Sequence, residues 1–349
     1  MTRILLAGDH FVGNDLLTGS LRARTELPLD LVRLPGRWPY EPFGPVAEVD
    51  EASDNEDDLC DAIGGVQVAV TQMAPFTRRV LDRADRLRLI VCCRGGPVNV
   101  NVDAATERGI AVANAPGRNA VAAAEHCVAL LMAALRRIPY VHNGLVAGQW
   151  RSDLYAYEEC GLELEGATVG LVGYGAIGRR VARAVRGLGA AVLVHDPYVD
   201  PVAVAADGFD AELVELPELL RRSRVVSLHA RLTAANRGMI GATELALMPP
   251  GGVLVNTARG GLLDYDALCD ALASGQLAAA ALDVFPQEPV PADSRILHTP
   301  NLVVSPHLAG ATRQTAQRAA AIAADEVVRY LTGEPLAHQV NPSVRAVHD

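Results

Sequence analysis

The chain has no cysteines at the C-x-x-C spacing of metal or redox sites. Its six cysteines, Cys60, Cys92, Cys93, Cys127, Cys160 and Cys269, show no ligand spacing, and most lie inside apolar runs. Buried, reduced thiols in a cytosolic (cytoplasmic) protein are the simplest reading. His10, His142, His195, His229 and His298 show no metal spacing either, so no metal is expected. No apolar stretch approaches the ~20 residues that cross a bilayer, and no membrane partner is expected. The longest, around Val121 to Leu135, is interrupted by Glu125 and His126. The start, Met1-Thr2-Arg3-Ile4, runs straight into a strand pattern without the architecture of a signal peptide. Positive charge is also short. A net charge of −10 argues against nucleic acid or an anionic membrane surface as a main partner. A local basic pocket for a small anion remains compatible with it. The acidic run from Glu48 to Asp58 reads as a solvated loop and helix start. There is no repeat of solenoid period and no low-complexity tail.

What the chain does have is length for about two domains, 349 residues, and an apolar half large enough for sizeable cores. One stretch organises the rest. Thr168 to Val172 reads as a buried parallel strand. Gly173, Gly175 and Gly178 follow in the spacing G-x-G-x-x-G, spanning Ala176 and Ile177, and then a helical pattern runs through Val181, Val185 and Leu188. A second apolar run, Ala190 to Val194, leads to Asp196, 18 residues after Gly178. Gly173 permits the tight turn, Gly175 lets a pyrophosphate approach the backbone, and Gly178 allows close helix–strand packing. The helix start offers free N–H groups and partial positive charge. Asp196 can accept both ribose hydroxyls of an adenosine and repels a 2′-phosphate, which favours NAD over NADP. Strand, turn, helix, strand and acid together lift this above a bare glycine loop.

Elsewhere, strands are expected at Arg3–Gly8, Leu29–Leu34, Val66–Thr71, Leu87–Cys93 and Ile110–Asn114. Helices alternate with them near Asn14–Arg24, Glu56–Ile63 and Thr77–Ala84. This predicts a small parallel α/β sheet. Pro35 to Pro45 reads as a surface loop. From Asn119 to about Ala147 the pattern is helical, a long crossover between domains. Val141 to Gly166 looks irregular, and its Trp150, Tyr155 and Tyr157 read as cover for core or an interface, or as a lid. Further strands are expected at Val225–Leu228, Val253–Asn256, Ala279–Asp283 and Leu302–Ser305. The last helix, roughly Ala311 to Leu331, is expected to return to the first domain. The domains are then 1–118 plus 311–349, discontinuous, and 119–310, with the active site in the cleft between two Rossmann-like/flavodoxin-like parallel-sheet domains.

Three polar stretches follow strands of the second domain: Asn256 to Gly261, Asp283 to Pro289 and Ser305 to Gly310. Ligands of open α/β sheets bind outside the carboxyl ends of strands. These stretches bring one Arg, one Glu and one His to the edge that carries the glycine turn. Arg259 has a planar fork for a carboxylate and can polarise an adjacent ketone. His307 can donate a proton to that oxygen and take it back in reverse. Glu288 can bond the other imidazole nitrogen and raise the histidine pKa. Singly, His307 reads as a structural histidine, Arg259 as a surface ion pair and Glu288 as a loop charge; their joint placement reverses that. His126, on an apolar helix, reads as structural.

The fingerprint Val172–Gly178, Asn-Thr-Ala-Arg-Gly at 256–260, Asp-Val-Phe-x-x-Glu-Pro at 283–289 and Ser-Pro-His-x-Ala-Gly-Ala-Thr at 305–312 carry a resemblance over nearly the whole chain. It resembles the D-isomer-specific 2-hydroxyacid dehydrogenases, the phosphoglycerate dehydrogenase-like group. The resemblance implies NAD-dependent interconversion of a D-2-hydroxy acid and a 2-keto acid, with Arg259 binding substrate and Glu288 and His307 as the acid/base pair. It implies that Asp283 approaches the nicotinamide carboxamide and that His229, Ala230, Thr257, Ala258, His307 and Gly310 also line the cofactor. It implies a split first domain, a closing cleft and a homodimer built on the nucleotide domains. Arg94-Gly95-Gly96 resembles the family's loop whose N–H groups hold the substrate carboxylate, and Gln72 to Phe76 is the expected specificity wall.

The chain departs from the family at Arg231, where proline is common; a cation there could touch phosphate or ribose. It ends soon after the last helix, without the regulatory domain many phosphoglycerate dehydrogenases carry. Two alternatives stand beside the main reading. One is an NADP-preferring glyoxylate or hydroxypyruvate reductase. The other is an NAD-sensing protein-interaction module like the C-terminal-binding protein corepressors.

Overall fold

The computed structural model describes residues 1–36, 43–53, 55–208 and 211–345. In chain order the first elements are β1 (Thr2–Gly8), α1 (Asn14–Arg22), β2 (Leu29–Pro35), β3 (Gly44–Val46), β4 (Val49–Ala52), α2 (Glu56–Ala62), β5 (Val68–Thr71), α3 (Arg78–Arg83), β6 (Leu89–Cys92), α4 (Val102–Glu107) and β7 (Ala111–Ala113). Then come α5 (Ala120–Leu135), α6 (Ile138–Val146), β8 (Thr168–Val172), α7 (Gly178–Gly187), β9 (Ala191–His195), α8 (Pro201–Ala205), β10 (Ala211–Leu213), α9 (Leu216–Arg222) and β11 (Val225–Leu228). The chain continues with α10 (Ala242–Leu247), β12 (Gly252–Asn256), α11 (Tyr265–Ala273), β13 (Leu277–Leu282), α12 (Arg295–His298), β14 (Leu302–Val304) and α13 (Arg313–Thr332). Two compact units result, Met1–Asn119 with Ala311–Asp349, and Ala120–Gly310.

The first unit is a parallel five-stranded sheet in the order β2-β1-β5-β6-β7. Val, Ile and Leu fill its strands on both faces because helices cover both. Ile4, Leu6, Val70 and Val91 pack under α1 and α13, whose Ala316, Ala319, Ala320 and Ala323 make a small-residue seam. Leu5, Ala69, Ile90 and Val112 pack under α2, α3 and α4. The tail after α13 pairs antiparallel with β7, with Gln339 opposite Ala113. The Asn341 side chain accepts from Val112 N–H at 2.8 Å and donates to the Ile110 carbonyl at 2.9 Å.

The second unit is a parallel seven-stranded sheet in the order β10-β9-β8-β11-β12-β13-β14. One face packs on α5 and α7 through Leu131, Val181 and Val185. The other packs on α9, α10 and α11 through Leu219, Leu245 and Leu268. The order reverses between β8 and β11, which makes that point the expected ligand crevice.

Several expectations need correcting. The acidic run is not simply loop and helix start: Val49–Ala52 is a strand paired antiparallel with Gly44–Val46. That pairing also removes the end of the Pro35–Pro45 loop, whose residues 37–42 lie outside the described residues. The long crossover is two helices, broken where Arg137 adopts a left-handed φ of +50°. A helix, α4, lies where none was expected. Trp150, Tyr155 and Tyr157 cover no core of this chain: they are 82%, 89% and 90% exposed. Five of the cysteines are buried and free, but Cys160 is exposed.

Candidate active site

In the second unit every strand runs parallel, so the carboxyl ends of β8, β11, β12, β13 and β14 share one edge. Gly173 leaves β8 at φ +101°, and a Cβ there would lie 2.6 Å from Ala230 N, so no other residue fits. Gly178 is equally confined, since a Cβ would stand 2.3 Å from the Gly173 carbonyl. Gly175 is the reverse: a Cβ there would meet nothing within 4 Å. That open backbone flank lies one turn before α7, whose start at Ile177 has no side-chain cap. Free N–H groups and partial positive charge are therefore left for an anion. Asp196 accepts from Tyr174 N–H at 2.7 Å through Oδ2 and from Tyr198 N–H at 2.9 Å through Oδ1. Each oxygen keeps a lone pair for a further donor.

His229, after β11, is half-buried. Burial pushes its pKa down to about 4, and Nε2 meets Ser227 Oγ at 3.0 Å. After β12, Asn256 staples the next turn by donating to the Arg259 carbonyl at 3.0 Å and accepting from Ala258 N–H at 3.0 Å. Thr257 is buried inside that turn, and Arg259 projects to the surface. Gly260 is pressed against the Phe285 carbonyl, where a Cβ would come within 2.0 Å. This close approach brings the Arg259 turn against the loop that carries Glu288.

Glu288 accepts from His307 Nδ1–H at 2.6 Å and from Phe285 N–H at 2.9 Å. Burial pushes the Glu288 carboxyl up, but the His307 bond and charge, the Phe285 N–H and the Arg259 charge together hold it below the usual range. His307 moves the other way. The Glu288 hydrogen bond raises its pKa, Glu288 and Asp283 charge add to that, and burial and Arg259 oppose it. The bond to Nδ1 leaves Nε2 for a substrate. The ring is half exposed, 51%, against 25% for Glu288.

The His307 backbone is left-handed, φ +53°, a conformation costing about 1–3 kcal/mol outside glycine. Asp283 holds it there. Its Oδ1 accepts from Ser305 Oγ–H at 2.6 Å and Leu308 N–H at 2.9 Å, and its Oδ2 accepts from Ala309 N–H at 2.8 Å. Ser305 has one hydrogen and gives it to Asp283, so His126 Nε2–H must donate to Ser305 Oγ, at 2.9 Å. His126 is thus a positioning residue for the His307 loop, and Asp283 serves that loop with both oxygens. Gly310 ends the unit two residues beyond Leu308.

Residues 128–309 match the family model described as D-isomer specific 2-hydroxyacid dehydrogenase, NAD binding domain. The chain belongs to that family. It is 42% identical over 262 residues to a D-3-phosphoglycerate dehydrogenase of Mycobacterium tuberculosis, covering 75% of this chain and 48% of that protein. It is 37% identical over 274 residues to a glyoxylate reductase of Korarchaeum cryptofilum, covering 77% and 81%. The solved structure of a glyoxylate reductase from Paecilomyes thermophila superposes with a TM-score of 0.77 at 30% identity, covering 98% of this chain and 99% of that one. The chain spans about half the length of the D-3-phosphoglycerate dehydrogenases it matches.

The dehydrogenase domain fits the NAD it binds: the open flank at Gly175 and the uncapped α7 start suit the pyrophosphate, and Asp196 suits the adenosine ribose. Among the described residues no group of three or more His, Cys, Asp or Glu could hold a metal ion, and no helix is long and apolar enough to cross a membrane.

The other expected substrate residues lie in the first unit, after β5 and β6. Gln72 is 4% exposed. A Cβ at Gly95 or Gly96 would meet nothing within 4 Å. Arg94 donates to Glu51 at 2.8 Å and contacts Met73 Sδ at 2.8 Å. Glu51 comes from β4, inside the acidic run that reads as a solvated loop, so nothing in the local pattern marks it. Arg231 is exposed, and its carbonyl accepts from Asn236 at 2.7 Å. Ser305 and His126, which hold the His307 loop, were not among the expected site residues; Ser305 sits in a quoted motif, and His126 reads as structural.

Proposed function

We propose that the chain is an NAD-dependent oxidoreductase that interconverts a D-2-hydroxy acid and a 2-keto acid. The His307–Glu288 pair, with Arg259 beside it at the strand edge that carries the glycine turn, is the observation that supports this most. Bound NADH supplies the hydride. His307 Nε2–H gives a proton to the keto oxygen, and the Glu288 carboxylate stabilises the imidazolium and fixes its orientation. Arg259 binds the substrate carboxylate and polarises the ketone. Arg94, Gly95, Gly96 and Gln72 add substrate contacts, which makes residues 1–118 with 311–349 the substrate-binding domain and 119–310 the NAD-binding domain. The named activities of the D-3-phosphoglycerate dehydrogenase and glyoxylate reductase relatives are of this class.

A homodimer goes with this reading. No residue of α6 is buried, and Tyr140, Leu145, Val146, Trp150, Tyr155 and Tyr157 are all at least half exposed. Monomers rarely leave so large an apolar patch uncovered, and a second copy supplies a matching surface. Reduced thiols at five buried cysteines suit a cytosolic setting.

The test is NADH oxidation followed at 340 nm over a panel of 2-keto acids, including glyoxylate, hydroxypyruvate and phosphohydroxypyruvate, repeated with NADPH. Turnover of at least one acid with NADH is the expected result. NADH binding without turnover of any of them would leave a binding module instead.

A further inference from the structure

A chain of polar side chains in the second unit runs from α5 to the glycine turn, and the proposed chemistry does not use it. Ser227 and His229 are two residues apart, so both face the side of the sheet that α5 covers. Cys127 Sγ on α5 meets Ser227 Oγ at 3.2 Å, and Ser227 Oγ meets His229 Nε2 at 3.0 Å. Cys127 and Ser227 have no solvent exposure. Thr257, in the turn after β12, borders the Cys127 sulfur, and its buried hydroxyl has no other partner. His229 lies beside the glycine turn. Its N–H donates to the Val172 carbonyl at 2.7 Å, and a Cβ at Gly178 would stand 3.7 Å from the His229 Cβ. Its Nδ1 meets no group of the chain among the described residues and is not sealed from solvent.

The supply of hydrogens decides which ring nitrogen of His229 carries one. With its pKa pushed down to about 4 by burial, the ring is neutral at pH 7 and holds a single N–H. Burial also pushes the Cys127 thiol up, against the Ser227 and Thr257 hydroxyls, so the sulfur keeps its hydrogen. In one order the Thr257 hydroxyl donates to the sulfur, the thiol to Ser227 Oγ and the Ser227 hydroxyl to His229 Nε2. Three hydrogens then meet three acceptors. In the opposite order Nε2–H donates to Ser227, Ser227 to the sulfur and the thiol to Thr257. The Thr257 hydrogen is then left buried without an acceptor, which is costly in a protein interior. The first order therefore prevails. The bond to Nε2 fixes the tautomer, and the hydrogen stands on Nδ1.

We infer that Cys127 and Ser227 are positioning residues of the cofactor site: they hold His229 as the Nδ1–H tautomer, and that hydrogen is donated to an oxygen of the dinucleotide bound at the glycine turn. The phosphates and riboses of a dinucleotide present acceptors, and the other tautomer would turn a lone pair toward them. Helix α5 thus serves two loops with adjacent residues, His126 for the His307 loop and Cys127 for His229. The inference rests on NAD binding by the second unit and not on the keto acid chemistry. A protein that binds NADH and reduces no acid counts against the reductase alone.

The experiment reads the His229 ring nitrogens by NMR in protein carrying isotope-labelled histidine, its signals being those lost in His229→Asn. Wild-type protein, with and without NADH, should show a hydrogen on Nδ1 and a bare Nε2. NADH affinity is then titrated by fluorescence in Cys127→Ala, Cys127→Ser and Ser227→Ala. Each alanine variant should mix the tautomers and weaken NADH binding by roughly fivefold or more. Cys127→Ser keeps a hydrogen to donate and should restore both the spectrum and the wild-type affinity. Alanine and serine are close in size, so an effect of packing would weaken both alike. A hydrogen on Nε2 in wild-type protein overturns the inference without recourse to any variant. So does Cys127→Ser binding NADH as weakly as Cys127→Ala, or either alanine variant binding it as tightly as wild type.

Discussion

At the residue scale, the proposed chemistry turns on a proton held at His307. In that proposal reduction requires the imidazolium, and the Glu288 bond raises the histidine pKa. The rate of keto acid reduction should therefore fall as pH rises through a value above the ordinary histidine pKa of about 6.5. Glu288→Gln removes the charge that favours imidazolium, so this descending limb should move to lower pH in a kcat/KM profile. His307→Ala should lower kcat by ~10²–10⁴ in steady-state assays with a verified substrate; a wild-type rate would end its assignment. In the proposed reading Asp196 sets cofactor choice. Asp196→Asn keeps an acceptor for the Tyr174 and Tyr198 amides but removes the charge that repels a 2′-phosphate. Paired titrations should show the NADPH-to-NADH efficiency ratio rising by roughly tenfold, about 1.4 kcal/mol. The chain contains no lysine, and its 31 permanently charged basic residues are all arginine, so apart from a protonated histidine any side-chain cation that recognises a carboxylate is a guanidinium.

At the scale of elements, the glycine turn contains two kinds of glycine. Gly173 is required by backbone geometry, and Gly175 by nothing inside the chain. Gly173→Ala should lower the Tm by about 5 °C or more, through left-handed strain and the clash with Ala230. Gly175→Ala should leave the Tm of the cofactor-free protein within a degree or two, yet weaken NADH binding by roughly tenfold in fluorescence titration. Equal effects of the two on Tm would remove the distinction.

Much of this architecture was readable from residues alone because buried parallel strands are short apolar runs, and β1, β5, β6, β8, β11 and β12 are of that kind. The Arg259, Glu288 and His307 stretches were readable for a related reason: each directly follows a short apolar run, although the last of these, β14, is only partly buried. What escaped notice lacked that signature. Strand β4 contains Asp50 and Glu51, half faces solvent, and pairs only with a three-residue partner. The break at Arg137 uses a left-handed arginine where glycine would have advertised it. Glu51 gains its partner, Arg94, only when loops distant in sequence meet. The exposed aromatics from Trp150 to Tyr157 look the same in sequence whether they cover their own core or another chain.

At the scale of the whole molecule, that aromatic surface makes the oligomeric state testable. Light scattering should give about twice the chain mass of 36.9 kDa. Trp150→Asp with Tyr157→Asp should bring the mass down to a single chain while far-UV circular dichroism stays unaltered, because neither side chain packs in a core of its own chain. A wild-type mass of one chain would instead assign the patch another role.

The seam of α13 on the first sheet and the tail bridged to β7 have a consequence for birth on the ribosome. The strands made earliest are finished latest. A nascent chain paused near residue 310 already holds all of the second unit, yet one oily side of its first sheet is covered by α1 alone and one lateral border is unzipped. For the remaining seconds of synthesis, the earliest-made part of this protein is the part most in need of a chaperone.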